Sequence, residues 1–85
     1  MYDNAKLLKF MGHELRLELL AILSTGEYKV GQLEDKTGKV QSTVSQHLSI
    51  LRTAGIVKVR REGTRSYYSI ANETAKEIIN VLHKK

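Results

Sequence analysis

The stretch Gln41–Gly55, QSTVSQHLSILRTAG, decides the fold of this chain. At about 100° per residue, a helix places its apolar side chains on one stripe and its short polar side chains on the opposite stripe. The apolar stripe consists of Val44, Leu48 and Leu51, and the polar stripe consists of Ser42, Gln46, Ser49 and Thr53. We therefore predict a helix from Gln41 to Ala54 that turns one face toward a core and ends at Gly55.

The polar stripe of this helix carries hydroxyl and amide groups without carboxylates. No Asp or Glu occurs between Gln41 and Thr53. Short neutral side chains of this kind can enter a DNA major groove and hydrogen-bond base edges and phosphates. An ordinary amphipathic helix whose outer face lacks charge explains the same pattern, so the helix alone does not separate the two interpretations.

The segment that follows the helix favours the DNA interpretation. Apolar Val57 and Val59 alternate with Lys58 and Arg60, and a second alternating run, with Tyr68 and Ile70 inward, follows a basic tip at 61–64. The change from a period of 3.6 to a period of 2 predicts a β-hairpin with a glycine in its tip. A basic hairpin beside an uncharged polar helix indicates a polyanionic partner.

The other helices complete the pattern. Val30–Thr37, closed by Gly38, is a short helix that forms a helix-turn-helix pair with the Gln41 helix. We predict a first helix over Asp3–Met11, with Asp3 or Asn4 as its cap. The next helix, His13–Ser24, is apolar around most of its circumference, which places it at the centre. Asn72 caps a last helix from Glu73 to about His83.

The predicted order is α-α-α-α-β-β-α in a single domain spanning residues 1–85. This is a mainly α fold with a small β-hairpin (α+β). Helix, helix, helix-turn-helix, hairpin and helix is the order of a winged helix-turn-helix.

Charge and composition restrict the classes of partner that the chain can bind. The net charge is +5, and the segment from residue 38 to 71 carries all of it, with six basic side chains and one acidic side chain. The chain has no cysteine, which excludes disulfides and thiolate metal sites within it. It also lacks an apolar run of the roughly 20 residues that a membrane span needs, and its first residues do not resemble a signal peptide. We expect a cytoplasmic protein that binds double-stranded DNA and no membrane.

Three stretches resemble one protein family. GHELRLELLAILSTGE (12–27), QSTVSQHLSILRTAGIVKVRREGTRSYYSI (41–70) and IINVLH (78–83) are similar to the ArsR family of small bacterial and archaeal repressors. The resemblance covers about Leu8 to His83 and is strongest in the branch that includes hemolysin and biofilm regulators. It implies a homodimer that binds an imperfect inverted repeat and blocks transcription.

The resemblance and the residue pattern together give two sets of candidate residues. The expected DNA contacts are Gln41, Ser42, Thr43, Ser45, Gln46, Ser49, Arg52, Lys58, Arg61 and Arg65. The dimer is expected to pair through its first and last helices, by way of Leu7, Phe10, Met11, Ala75, Ile78, Ile79 and Leu82. A purely intramolecular packing role for these apolar residues remains open.

The chain departs from the family where its members sense thiol-reactive signals. Many members carry a Cys-containing segment where this chain has residues 27–31, and the redox-responsive branch has a cysteine where this chain has Ala21. A second cysteine, beyond the last helix in that branch, is also missing. Glu73, Glu77 and His83 do not reproduce the ligand spacings of the metal sites on the last helix. We therefore expect no metal, no cofactor and no thiol chemistry.

A further departure lies at the start of the polar helix. Val40 stands where relatives often have a serine that caps this helix. The loss is worth about 1 kcal/mol unless Ser42 or a phosphate substitutes for the cap.

Three classes of function compete. The leading hypothesis is a sequence-specific repressor with Gln46 on a base edge. A winged-helix module that binds protein rather than DNA is the alternative. An enzyme is disfavoured because the chain offers no cysteine, no paired carboxylates at a glycine-rich turn and no phosphate-binding loop.

Overall fold

The computed structural model describes residues 4–83 and contains the elements in the predicted order. The helices are α1 (Asn4–Met11), α2 (Glu14–Leu23), α3 (Val30–Thr37), α4 (Gln41–Thr53) and α5 (Glu73–His83), and the strands are β1 (Val57–Glu62) and β2 (Arg65–Ile70). The architecture is the predicted winged helix-turn-helix. Asp3, one of the two predicted caps of α1, lies outside the described residues.

Helix α2 is the central element of the fold. It packs against α1, α3, α4, α5 and β2, and its leucines at positions 15, 19, 20 and 23 are buried. The prediction of a central, mostly buried helix is therefore confirmed. His13 is the N-cap of α2: its backbone is extended, and its Nδ1 accepts a hydrogen bond of 3.1 Å from the Leu15 N–H. The helix consequently begins one residue later than predicted.

The turn between α3 and α4 places α4 against the core. Gly38 takes a φ of +70°, a conformation that glycine adopts without strain, and its N–H donates to the Glu34 carbonyl at 2.8 Å. Val44, Leu48 and Leu51 are then fully buried, as predicted. Because all three anchor the same side of α4, the opposite side of the helix is fixed toward solvent.

The hairpin has a shorter turn than the sequence prediction. Arg61 pairs with Ser66 and Glu62 pairs with Arg65, so the turn contains only Gly63 and Thr64 rather than the predicted four residues. Gly63 has a φ of +61°, which suits the first position of a two-residue turn whose twist matches that of the strands. Four residues at the predicted tip therefore become two paired residues and a two-residue turn.

The loop between α2 and α3 joins the hairpin. Tyr28 forms an antiparallel β-bridge with Tyr68: the Tyr28 N–H donates to the Tyr68 carbonyl at 3.0 Å, and the Tyr68 N–H donates to the Tyr28 carbonyl at 2.8 Å. These two hydrogen bonds connect β2 of the hairpin to the loop between α2 and α3, away from the hairpin turn.

Helix α5 starts as predicted and returns to the core. The Asn72 Oδ1 accepts a hydrogen bond of 2.8 Å from the Ala75 N–H, which satisfies one free donor of the first turn. Ala75 and Ile79 are buried against the rest of the core. Within residues 4–83, no helix has the length and apolar character that crossing a membrane requires.

Candidate nucleic-acid interface

The outer face of α4 presents the polar side chains that the sequence singled out. Gln41, Ser42, Gln46 and Ser49 are exposed, and Thr43 and Ser45 are half-buried. No carboxylate occurs in the sequence between Asp35 and Glu62, so the whole of α4 is free of acidic side chains. The face is rich in hydrogen-bond donors and acceptors and carries no charge that would repel a phosphate backbone.

The start of α4 lacks a side-chain cap. Val40 has an extended backbone (φ −75°, ψ 159°), and its carbonyl accepts the first helical hydrogen bond, from the Val44 N–H at 3.1 Å. No side chain caps the first N–H groups of the helix, so Ser42 does not replace the missing cap. The first turn of α4 therefore forgoes about 1 kcal/mol of stabilisation that a serine cap would provide.

A half-buried polar cluster holds one flank of α4 against α2. The Arg16 Nε donates to the His47 Nδ1 at 3.1 Å, and its Nη1 donates to the Phe10 carbonyl at the same distance. The rings of His13 and His47 lie 4.5 Å apart. Arg16 thus connects α1, α2 and α4 through one side chain.

This environment lowers the pKa of His47. The largest cause is burial, which disfavours the charged imidazolium, and the neighbouring charges of His13 and Arg16 act in the same direction. The neutral imidazole is also the form that accepts the hydrogen bond from Arg16. The hydrogen bond from Arg16 to His47 therefore requires a neutral His47.

The strand register separates the basic side chains of the wing. Residues opposite each other in an antiparallel pair share a face of the hairpin, and neighbours along a strand alternate. Arg61, opposite Ser66, lies on the face that also carries the packed residues Val57 and Tyr68. Arg65, opposite Glu62, lies on the other face. The two arginines that were predicted to flank the tip are both exposed there, on opposite faces.

Arg60 belongs to a separate ionic cluster at the base of the wing. It makes a bidentate ion pair with Glu27, whose nearest contact is 3.0 Å, and a second ion pair with Glu62 at 3.1 Å. Its guanidinium also lies 4.7 Å from the centre of the Tyr67 ring. The hydrogen bond from Arg60 lowers the pKa of Glu27, and the two carboxylates raise that of Arg60. Arg60 therefore joins the wing to the α2–α3 loop.

The remaining predicted cations are exposed. Arg52 lies in the last turn of α4, and Lys58 lies in β1. Arg61 donates to the Ser66 hydroxyl at 2.8 Å across the hairpin, which restricts the side chain to the region near the turn.

Lys39 is also exposed, directly before α4, although the sequence prediction did not include it. Its place in the basic segment 38–71, directly before α4, is the signal that would have identified it.

The predicted dimer residues divide into two groups. Leu7, Met11, Ala75 and Ile79 are buried in the core of the subunit, so these four side chains pack intramolecularly. Phe10 and Ile78 are half-buried, and Leu82 is exposed. Leu8 and Val81, which the prediction omitted, are also exposed. The stripe periodicity identified the helices but not which of their apolar side chains remain at the surface.

The candidate metal ligands do not converge in the described part of the chain. Within residues 4–83, no group of three or more His, Asp or Glu side chains is arranged to hold a metal ion. The two imidazoles that meet, His13 and His47, each use Nδ1 to accept a hydrogen bond.

Comparison with known proteins gives a consistent family assignment. The family model described as "Bacterial regulatory protein, arsR family" matches residues 13–59. A biofilm growth-associated repressor from Agrobacterium fabrum is 44% identical over 81 residues, which cover 95% of this chain and 69% of that protein. The transcriptional activator HlyU from Vibrio cholerae is 38% identical over 78 residues, which cover 92% of this chain and 72% of HlyU.

Solved structures share the fold over nearly the whole chain. A structure of HlyU from Vibrio cholerae superposes with a TM-score of 0.89 at 36% identity, and the match covers 99% of this chain and 96% of that one. A homodimeric winged helix-turn-helix DNA-binding domain from Mycobacterium bovis superposes with a TM-score of 0.82 at 36% identity, covering 92% of this chain and 72% of that domain.

Proposed function

Because the chain belongs to the arsR family of bacterial regulatory proteins, we propose that it is a homodimeric repressor of transcription that binds an inverted-repeat DNA operator. The observation that carries the proposal is the outer face of α4, which is exposed, rich in hydroxyl and amide groups and free of carboxylates. Such a regulator acts on the chromosome and therefore in the cytoplasm.

Helix α4 is the element that is proposed to contact the bases. In helix-turn-helix proteins the second helix lies in the major groove, and residues near its N-terminus contact base edges. Gln46 is exposed in the middle of the polar face, and its amide can pair bidentately with adenine. Gln41, Ser42, Thr43, Ser45 and Ser49 surround it and supply further contacts to bases or phosphates.

The cations around the polar face of α4 are proposed to contact phosphates. Arg52, Lys58, Arg61 and Arg65 are exposed, and Lys39 joins them at the start of α4. Arg61 and Arg65 lie near the hairpin turn, where they can contact phosphates or the minor groove. Arg60 is assigned no DNA contact because Glu27 and Glu62 already neutralise it.

Dimerisation is proposed through the apolar surface of α1 and α5. Leu8 is 55% exposed, Val81 is 71% exposed and Leu82 is 60% exposed, and half-buried Phe10 and Ile78 lie on the same two helices. Exposed apolar side chains on a small domain favour self-association. The similar domain from Mycobacterium bovis is described as homodimeric. A twofold dimer would present two copies of α4, which is the arrangement that an inverted repeat matches.

Repression is the proposed direction of control. A protein seated on an operator that overlaps a promoter excludes the polymerase without any further contact. The similar protein from Agrobacterium fabrum is named a repressor, whereas HlyU is named an activator. Transcription in vitro from a promoter that contains the operator decides between the two directions.

Selection of bound sequences from random duplexes tests the proposal as a whole. We expect enrichment of an inverted repeat whose half-sites are separated by about one helical turn. Sedimentation of the protein with a fluorescent copy of that duplex should show two subunits per duplex. Failure to enrich any sequence, together with equal binding of all duplexes, would favour the protein-interaction alternative.

A further inference from the structure

We infer that Val40 reads a thymine of the operator, by apolar contact of its side chain with the C5-methyl group in the major groove. The inference rests on the proposed DNA-binding function and adds one base contact to the proposed recognition of the operator. It starts from the exposure of Val40, a residue that is 66% accessible to solvent.

The location of Val40 distinguishes it from the other exposed apolar side chains. Among residues 4–83, the large apolar side chains that are mostly exposed are those of Leu8, Val40, Val81 and Leu82. Leu8 lies on α1, and Val81 and Leu82 lie on α5, where the proposed dimer would cover them. Val40 lies at the start of α4 instead. The proposed dimer interface therefore does not include Val40, which lies beside the polar face of α4 instead.

The position of Val40 is fixed by the backbone on both sides. Gly38 closes α3 with its N–H on the Glu34 carbonyl, and the Lys39 N–H donates to the Thr37 hydroxyl at 3.2 Å. The Val40 carbonyl accepts the hydrogen bond from the Val44 N–H that opens α4. A β-branched side chain has few rotamers. Val40 therefore offers an apolar surface whose position is set before binding.

The surroundings of Val40 identify its partner. It is flanked by exposed Lys39 and by exposed Gln41 and Ser42, and the sequence contains no carboxylate between Asp35 and Glu62. A negatively charged DNA backbone can therefore approach this end of α4 without repulsion. The N-terminal residues of a recognition helix are the ones that reach base edges.

The chemistry of the side chain then selects the base. Valine can neither donate nor accept a hydrogen bond, so it gains nothing from a phosphate or from the polar edge of a base. In the major groove the C5-methyl group of thymine is the feature that apolar side chains contact. A serine at this position would cap the helix or bind a phosphate, and valine replaces that capacity with apolar contact.

The test removes the two partners of this contact separately. Deoxyuridine in place of each operator thymidine removes only the C5-methyl group and leaves base pairing intact. Val40→Ala removes the valine methyl groups without adding a helix cap. The affinity of each protein for each duplex is measured by fluorescence anisotropy, with Thr53→Ala, an exposed position at the other end of α4, as the matched control.

For one thymine per half-site, we expect its replacement to weaken binding of the unaltered protein roughly fourfold per half-site, the change expected for losing one buried methyl contact. The same replacement should leave the affinity of Val40→Ala unchanged, while Thr53→Ala should retain the full loss. A loss that is equal in Val40→Ala and the unaltered protein, or no sensitive thymine at all, would overturn the inference while leaving the proposed function intact. Absence of binding to every duplex would overturn both.

Discussion

At the scale of single residues, Gln46 and Arg65 have different proposed tasks. Gln46 lies in the polar face of α4 and is expected to pair with a base, whereas Arg65 lies beside the hairpin turn and is expected to contact the backbone. Gln46→Ala should reduce the preference for one base position by roughly 1–3 kcal/mol. Arg65→Ala should weaken binding to all duplexes alike. Affinities for the operator and for each single-base variant distinguish these outcomes, and two mutants with the same profile would show that the roles are misassigned.

His47 makes the stability of the fold depend on pH. Its pKa in the folded state lies below the ordinary value of 6.5, mainly because of burial and also because of His13 and Arg16. The unfolded chain therefore binds a proton at this position more readily, so the contribution of His47 to stability is complete above about pH 6.5 and is lost as the pH falls through the folded pKa. Glu14, Glu18 and Lys39 line the same groove as His47.

Replacing this imidazole should flatten the pH dependence. In His47→Gln, the amide oxygen can still accept from Arg16 but does not titrate, so the loss of stability on acidification from pH 7.5 to 5.5 should become smaller. Urea unfolding at each pH measures the change, and His83→Gln, at an exposed position of α5, is the control. An unchanged pH profile in His47→Gln would mean that other groups cause the acid sensitivity.

At the scale of elements, the sequence predicted helices better than contacts. The bounds of α3 were predicted because Gly38 closes it where a left-handed residue is needed, and α4 was predicted to within one residue because its apolar stripe is regular. The hairpin turn was predicted too long because the charged residues Arg61 and Glu62 resemble loop residues. Their pairing with Ser66 and Arg65 becomes apparent only from the register.

Contacts between distant segments were beyond sequence reasoning. The Arg60–Glu27 ion pair joins residues 33 positions apart, and no spacing rule indicates it. The same holds for the Arg16–His47 hydrogen bond, whose partners are 31 positions apart. Both connect elements that the pattern had identified singly. The sequence therefore predicted the exposed polar face of α4 but not the contacts that hold this helix and the hairpin in place.

At the scale of the whole molecule, α5 has two roles that its sequence periodicity does not separate. Its stripe includes Ala75 and Ile79, which the core buries, and Leu82, which the core leaves exposed. Ile79→Glu would therefore unfold the subunit and would not report on assembly. Leu82→Glu places the charge on the proposed interface instead, so it should leave the subunit folded but monomeric and should reduce operator binding.

Light scattering together with circular dichroism measures both properties. Asn80→Glu, at an exposed position on the same helix, is the matched control and should remain dimeric. A folded, dimeric Leu82→Glu protein with full operator affinity would place the interface elsewhere.

The absence of cysteine from the chain gives a prediction about signals. Peroxide, polysulfide and arsenite act on thiolates, because only a thiolate combines soft-metal affinity with reversible oxidation. We predict that these agents, and zinc at low micromolar concentration, leave operator affinity unchanged. Titration of each agent into an anisotropy assay is the test. A stoichiometric tenfold release by zinc would reveal a site of histidine and carboxylate ligands.

The central claim is that α4 and the wing together bind duplex DNA, with sequence preference from the polar face and affinity from the surrounding cations. The most direct measurement is the affinity for the selected operator and for a scrambled duplex as a function of salt concentration. A dimer that neutralises on the order of 6–10 phosphates should give a slope of log K against log salt of roughly −5 to −9. The operator should remain at least about 1,000-fold preferred over the scrambled duplex. A slope near zero, or equal affinity for the two duplexes, would contradict the claim.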